Sequence, residues 1–400
     1  MIKSIKITNF FSFIGNVVFP HKTETILVGI NGSGKSNFFK AIKLLKEGVS
    51  GLGFKRLIYE IWGGYDSISN FNLANNSDSI SIEYELDCQV LKNYGFQFTE
   101  NVFYKITIKR IHNTANYFID ELIYLPHPNR KPSIYLEFSN GKGVILEGKT
   151  DESELKTKLV NYHLDSQESA LRSVSDPDRY FALSTIKNSI DDWIIYDYFD
   201  TSPQSKIRQP MLPTSEKRLL PDGSNLPQIL NTIKINDKSS FNKIKELLNH
   251  INPQYSGFDF NNVGVNIELM LEESHLNKSV HVTHISDGTL RFLCLLAICY
   301  NSKRGNLICI DEPELGLHPD MISTITDAIK YASQSSQIVI ATHSEHILNA
   351  FDIENVRVFE KNDSNNTVVN SFTSLQFEGW YDNFVVGKMW RQNDLGGNRW

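Results

Sequence analysis

The chain has 400 residues, 40% of them hydrophobic and 22% charged, with a net charge of −6. That length suits one large domain or two to three ordinary ones with a real core. The balance carries no global basic bias toward nucleic acid, although a local basic groove stays open. The longest apolar run, near Phe292–Cys299, is too short to span a bilayer, and the start "IKSIKI" reads as a strand and not as a leader. A cytoplasmic protein away from the membrane is expected. The four cysteines, Cys88, Cys294, Cys299 and Cys309, form no CxxC pair and sit in apolar patterns. They read as small buried hydrophobes, not as zinc ligands or disulfides.

In chain order, residues 1–47 read as strands, a glycine loop and a helix. "ETILVG" is an apolar run, and "SNFFKAIKLLKEG" has helical spacing with a terminal glycine. Residues 80–148 alternate apolar and polar positions in segments rich in β-branched and aromatic residues. They predict an antiparallel sheet, with "SNGKG" as one hairpin turn. Residues 151–252 read as mostly helical, interrupted by "TSPQSKIRQPMLP", which is expected to form a mobile loop or surface clamp. After "GVNIELMLEE" apolar strands alternate with helices, the pattern of a parallel or mixed α/β sheet. The expected division is therefore 1–150, 151–252 and 253–400.

"GINGSGKS", Gly29–Ser36, matches G-x-x-x-x-G-K-[ST] between an apolar strand and a helix. Gly29, Gly32 and Gly34 let the backbone turn tightly and bring N–H groups to phosphates, and the helix start adds a favourable dipole. The residues expected at the nucleotide are Gly29, Asn31, Gly32, Ser33, Gly34, Lys35, Ser36 and Asn37. Lys35 should reach the β- and γ-phosphates, and Ser36 should ligate Mg²⁺. "ICIDEPELGLHPD", Ile308–Asp320, runs a strand into two carboxylates. Charges leave water at a cost, so a reason for the pair is needed. Asp311 is expected in the Mg²⁺ shell, and Glu312 as the base that orients and deprotonates water.

Two further segments point to phosphate. "HISDGTLRFL" places Ser286, Asp287 and Gly288 before an apolar helix, where Ser286 suits an N-cap. "SQIVIATHSEHIL" ends a strand in Thr342, His343 and Ser344, with His343 in the place of a γ-phosphate sensor.

The order Gly29–Ser36, Ser286–Arg291, Leu307–Glu312, Glu314–Pro319 and His343 resembles the ABC-type ATPase head shared by RecF, SMC and OLD-family proteins. More narrowly, "SDGTLRFL", "DEPELGLHP" and "ATHSEHIL" resemble stand-alone OLD- and RecF-like AAA ATPases of bacterial anti-phage systems. The resemblance implies an α/β fold, a P-loop head with a mixed sheet and an antiparallel β lobe, plus a largely helical insert. It implies ATP and Mg²⁺ as ligands and a homo-oligomer, at least a dimer, sandwiching ATP between two heads. In that dimer Ser286, Asp287 and Gly288 of one copy would close on nucleotide held by Lys35 and Ser36 of the other, and Glu314–Pro319 would be the D-loop. It also implies a separate effector subunit, a nuclease of TOPRIM or HNH type, with DNA or RNA as a further partner class. The competing functions are a RecF-like repair ATPase clamping DNA and a non-hydrolysing scaffold; Glu312 argues against the scaffold.

Two features depart from the family pattern or stand outside it. Phe11 stands where RecF-like chains often carry arginine, and the Q-loop glutamine has no clear place; Gln89 and Gln97 read as surface residues. The tail from residue 381, with Phe384, Val385, Gly387, Met389, Trp390 and Arg391 before Arg399 and Trp400, is expected either to dock a partner or to pack on its own head.

Overall fold

Two sheets draw strands from distant parts of the chain. The computed structural model describes residues 2–15, 17–20, 23–70, 79–111, 114, 116–148, 158–377 and 385–397. One sheet has eight strands, in the order Val17–Pro20, Ile2–Thr8, Ser79–Leu86, Val102–Arg110, Tyr117–Leu125, Ser133–Ser139, Lys142–Glu147 and Lys158–His163. Every pairing in it is antiparallel. The alternation seen in the sequence is the alternation of burial: Ile80, Ile82, Tyr84 and Leu86 face inward on one strand, and Val102, Tyr104, Ile106 and Ile108 on the next. The turn Asn140–Gly141 has φ of 49° and 74°, both left-handed, so the two-residue connection takes the twist that a tight hairpin needs.

The second sheet has six strands, in the order Trp193–Tyr196, Leu307–Asp311, Gln337–Thr342, Glu24–Val28, Val356–Lys361 and Thr367–Ser371. The first five are parallel and the last is antiparallel. Its central strands read as continuous apolar runs because both faces are covered. Leu27, Leu307, Cys309, Val339 and Ala341 pack with the helix Lys35–Val49 and the antiparallel sheet. Ile26, Val28, Ile308, Ile310, Ile338 and Ile340 pack with the helices Asp287–Tyr300 and Pro319–Ser333. Each such side chain contributes about 1.5–3 kcal/mol through burial, so this sheet is the rigid floor on which the loops stand.

The mixed α/β architecture with an antiparallel lobe is the expected one. The boundaries differ. Residues 151–252 form the helices Phe181–Asp191, Leu226–Asn236 and Lys238–Ile251, but also give Lys158–His163 to the eight-stranded sheet and Trp193–Tyr196 to the six-stranded one. A short strand's pairing partners lie far away in sequence, so a local reading saw only the helices around it. A third sheet, Tyr255–Val263, Asn266–Glu273 and Val280–His281, packs beside the helix Lys238–Ile251. No helix among the described residues is long and apolar enough to cross a membrane.

The tail's described part packs on its own head. Val386, Met389 and Leu395 are buried, the Gly387 N–H donates to Asn349 Oδ1 at 2.7 Å, and the Gly397 N–H donates to Glu360 Oε1 at 2.6 Å. Phe384, Arg399 and Trp400 lie outside the described residues. Of the cysteines, Cys294, Cys299 and Cys309 are buried and Cys88 is half-buried.

Candidate nucleotide site

Strand register decides which residues meet. Val28 pairs with Thr342, and Ala341 with Asp311. Three adjacent parallel strands therefore end together, and the residues that follow them, Gly29, His343 and Glu312, emerge at one edge of the sheet. Ligands of open parallel sheets collect beyond these carboxyl ends.

The loop Gly29–Gly34 is shaped by glycines at two close approaches. A side chain at Gly29 would strike the Phe359 carbonyl at 2.3 Å, and one at Gly34, with φ of 116°, would strike Thr367 Oγ1 at 2.3 Å. Gly32, with φ of 80°, faces open space instead, the side a phosphate can approach. The Thr367 hydroxyl lies 2.7 Å from both the Ser33 carbonyl oxygen and the Ser12 hydroxyl, and the Asn37 amide donates to Ser12 at 2.9 Å. Residues from three parts of the chain thus brace the loop from behind. Neither Ser12 nor Thr367 belongs to a motif that sequence reasoning could have used.

Lys35 is 6% exposed, and its ammonium donates to the carbonyls of Gly29 at 2.6 Å and Ile30 at 3.1 Å. Burial pulls its pKa down to about 8, against the opposing attraction of Asp311, Glu312 and Glu314. Ser36 is exposed at the first turn of the helix Lys35–Val49, and Asn31 is exposed on the loop. The Ser33 hydroxyl is buried with no hydrogen-bond partner among the described residues.

The acidic edge faces this ammonium. Burial, then the charges of Glu312 and Asp197, push the Asp311 carboxyl up to about 6. Glu312 holds φ of 47°, a left-handed backbone that ordinary residues avoid; its N–H is tied to the Ala341 carbonyl at 2.8 Å, which fixes the turn. Its carboxylate oxygen Oε1 lies 3.5 Å from His343 Nε2. Burial, followed by the Lys35 charge, holds His343 below its ordinary value, so the imidazole is neutral at neutral pH. Glu314 accepts the Thr342 hydroxyl at 2.7 Å and the His343 N–H at 2.8 Å, which ties the acidic strand's exit to the histidine strand's exit. Burial raises its pKa.

These groups fit a magnesium nucleotide. A lysine held back on loop carbonyls, an open Gly32 face, an exposed Ser36 and a carboxyl whose ionisation is suppressed by burial and neighbouring carboxylates all gain from an incoming anion and a divalent cation.

The segment Ser286–Gly288 makes its bonds elsewhere. Ser286 caps the helix Asp287–Tyr300 by accepting the Thr289 N–H at 3.1 Å. Gly288 packs so near the Gly316 carbonyl that an added Cβ would lie 2.9 Å from it, and Arg291 donates to the Leu315 carbonyl at 2.9 Å. Ser286 and Asp287 are exposed. Among the described residues they bond to Thr289 and Arg208, not to the loop Gly29–Asn37. The segment 201–213, expected to form a mobile loop or surface clamp, carries Arg208, which is buried and grips its own chain. Only 5% exposed, Arg208 donates to the carbonyls of Thr201, Val282 and Ile285 at 2.8 Å each and to Asp287 Oδ1 at 2.5 Å.

Asp197 was also missed. It follows the strand Trp193–Tyr196, which pairs with Leu307–Asp311 through Tyr196 and Ile310. It bonds Lys43 at 2.9 Å and helps raise Asp311. The signal was present as "WIIYD", an apolar run ending in an acid like "LICIDE". Gln89 and Gln97 are exposed on the surface. Phe11 packs edge-on against Phe10 and Trp62 and carries the Lys40 ammonium over its ring at 4.1 Å.

The chain has relatives in sequence and in fold. The Old nuclease of Escherichia phage P2 is 34% identical over 111 residues, covering 25% of this chain and 19% of that protein. Endonuclease GajA of Bacillus cereus (strain HuB5-5) is 35% identical over 103 residues, covering 22% of this chain and 14% of that protein. The chain thus matches a fifth or less of these relatives' length. Among solved structures, an SMC head bound to the C-winged helix domain of ScpA superposes with a TM-score of 0.57 at 15% identity, covering 94% of this chain and 99% of that one. An SMC head domain with an extended coiled coil, bound to the C-terminal domain of ScpA derived from Pyrococcus furiosus, gives 0.55 at 14%, covering 94% and 97%. The AAA_21 family model, described as "AAA domain, putative AbiEii toxin, Type IV TA system", matches residues 25–349. The chain belongs to this AAA family and carries the ABC-type ATPase head fold related to OLD and SMC proteins.

Proposed function

We propose that the protein binds and hydrolyses ATP with Mg²⁺, pairs with a second copy around the nucleotide, and through that pairing controls a separate effector in anti-phage defence. The observation that supports pairing best is the exposure of Ser286 and Asp287, which bond to Thr289 and Arg208 and not to the chain's own phosphate loop. Arg208 holds that segment in place, so it is ready for another copy's site without rearrangement.

In this reading Lys35 exchanges the carbonyls of Gly29 and Ile30 for phosphate oxygens, an exchange of weak acceptors for charged ones. Ser36 and Asp311 would hold Mg²⁺, which supplies charge neutralisation at the phosphates. Glu312 accepts the proton of the attacking water, and neutral His343, 3.5 Å away, orients that carboxylate. Glu314 keeps the two strand exits in register. Effector control is supported by the likeness to two nucleases, each matched over a fifth or less of its own length.

Mixed variants test the shared site. Ser286→Arg places a bulky cation at the exposed helix start, and Lys35→Ala disables the loop. Each alone should hydrolyse little. A mixture shown by native mass spectrometry to contain heterodimers should regain part of the wild-type ATPase rate, because one composite site keeps both halves. Heterodimers with no recovery contradict the shared site. Affinity capture from the native host should retain a nuclease or other effector; capture of the bare chain alone argues against effector control.

A further inference from the structure

A second polar cleft, of about 600 Å³, lies at the opposite end of the six-stranded sheet from the phosphate loop. Its wall includes Asp192, Asn306 and Ser336, the residues that immediately precede the strands Trp193–Tyr196, Leu307–Asp311 and Gln337–Thr342. It is therefore formed by the amino ends of the same strands whose carboxyl ends hold Asp311 and His343.

Four cationic side chains line it, Lys217, Arg218, Lys303 and Arg304, against two carboxylates, Asp192 and Glu216. Those carboxylates are already engaged. Asp192 accepts the Tyr94 hydroxyl at 2.6 Å and the Arg218 guanidinium at 3.1 Å, and Glu216 lies 3.6 Å from Arg218 Nε. Lys217 and Lys303 are exposed at the rim and have no carboxylate partner among the described residues. The cleft is thus electropositive at its mouth.

Two of its lining residues carry buried polar atoms without a partner among the described residues. Asn306 is 8% exposed and spends its amide N–H groups on the Tyr94 hydroxyl at 2.7 Å and on Ser189, while its carbonyl oxygen Oδ1 has no partner. Arg304, also 8% exposed, donates through Nη1 to Ser335 Oγ at 2.7 Å, while its Nε is unpartnered. Buried polar atoms are nearly always paired, so an orphan acceptor and an orphan cationic donor in one lining point to a ligand that supplies both a donor and an acceptor as these side chains turn toward it.

We propose that this cleft binds a small phosphorylated molecule, up to mononucleotide size, that also carries an N–H or O–H donor. Its phosphate is held by Lys217, Lys303 and Arg304, and its donor group pairs with Asn306 Oδ1. A dianionic phosphate matches the surplus of two positive charges, and the volume suits a sugar phosphate or a nucleoside monophosphate. Asn306 leads directly into Leu307–Asp311, so the occupied cleft sits roughly 17 Å from the acidic pair along one rigid strand.

Calorimetric titration of the full chain tests this, in a Lys35→Ala background so that the phosphate loop does not compete. The probes are inorganic pyrophosphate, glucose 6-phosphate and cytidine monophosphate. At least one organic phosphate should bind at one site per chain and more tightly than pyrophosphate, which lacks the donor for Asn306. Lys217→Glu with Lys303→Glu, both at exposed positions that leave the fold intact, should weaken it at least about tenfold. Asn306→Asp, which keeps the side chain's shape but adds negative charge, should weaken it too. Preference for the sugar phosphate or for the nucleotide identifies the ligand source. Failure of both organic probes to bind, or binding that the double charge reversal leaves unchanged, overturns the proposal. Neither outcome bears on ATP at Lys35, which wild-type titration with ATP reads separately.

Discussion

The Arg208 guanidinium donates to Asp287 Oδ1 at 2.5 Å while the same buried side chain also donates to the carbonyls of Val282 and Ile285. One residue from the segment 201–213 thus fixes both the start of the helix Asp287–Tyr300 and the turn that leads into it. Arg208→Ala strands buried carbonyls without donors. It should cost about 2–4 kcal/mol of stability, read by urea denaturation. Folded at low temperature, the variant should still bind ATP at the Lys35 loop but hydrolyse it more slowly. Wild-type stability and turnover together would remove the clamp from the account.

In the proposed function, Lys35 links nucleotide binding to pH. Its pKa is held near 8 while the site is free, chiefly by burial. Phosphate charge raises it in the complex. The complex therefore holds more protons than the free protein once pH exceeds about 8, and affinity for ATP should fall as pH rises from there. Calorimetry at pH 8.5 in two buffers of different ionisation enthalpy should report proton uptake on ATP binding. Lys35→Ala should bind at least about tenfold more weakly and show no uptake from this group.

Asp311 links the stability of the free protein to pH. Its carboxyl sits up at about 6 in the folded protein, above its ordinary value of 3.8. Above that range the folded state bears the charge at a cost that the unfolded chain avoids. Its contribution to stability is therefore least favourable above about pH 6 and improves as pH falls through 6 toward 4. Asp311→Asn should stabilise the metal-free protein by roughly 1–2 kcal/mol at pH 7.5, an amount reduced by the group's partial exposure. The gain should vanish near pH 4. Differential scanning calorimetry in EDTA at the two pH values reads both effects. The same variant should lose the stabilisation that wild type gains from ATP with Mg²⁺.

Glu312→Gln keeps side-chain size and the backbone tie to Ala341 but removes the base. ATP affinity should stay within about threefold of wild type while turnover falls by at least about a hundredfold. Light scattering should then show an ATP-dependent assembly that persists. Turnover at the wild-type rate would assign the proton to another group.

The candidate nucleotide site was legible because its proposed chemistry is written in contiguous residues. "GINGSGKS" needs glycines at Gly29 and Gly34 for close approach and Lys35 next to them, and "LICIDEPE" places two acids at a strand end. Both are constraints that a backbone imposes over a few residues. The antiparallel lobe was legible for the same reason, since alternate burial has a period of two. What the sequence alone could not decide is which distant segments share an edge. The strand Trp193–Tyr196 joins the parallel sheet through pairing with residues more than a hundred positions away, which places Asp197 beside Asp311. Thr367 braces Ser33, Arg208 grips Asp287, and Asn306 completes a cleft with Tyr94 and Lys217. Each is a single polar side chain with no periodic or motif context. Its partner is chosen by the packing of whole layers, so the role of each emerges only when the sheets and helices close around it.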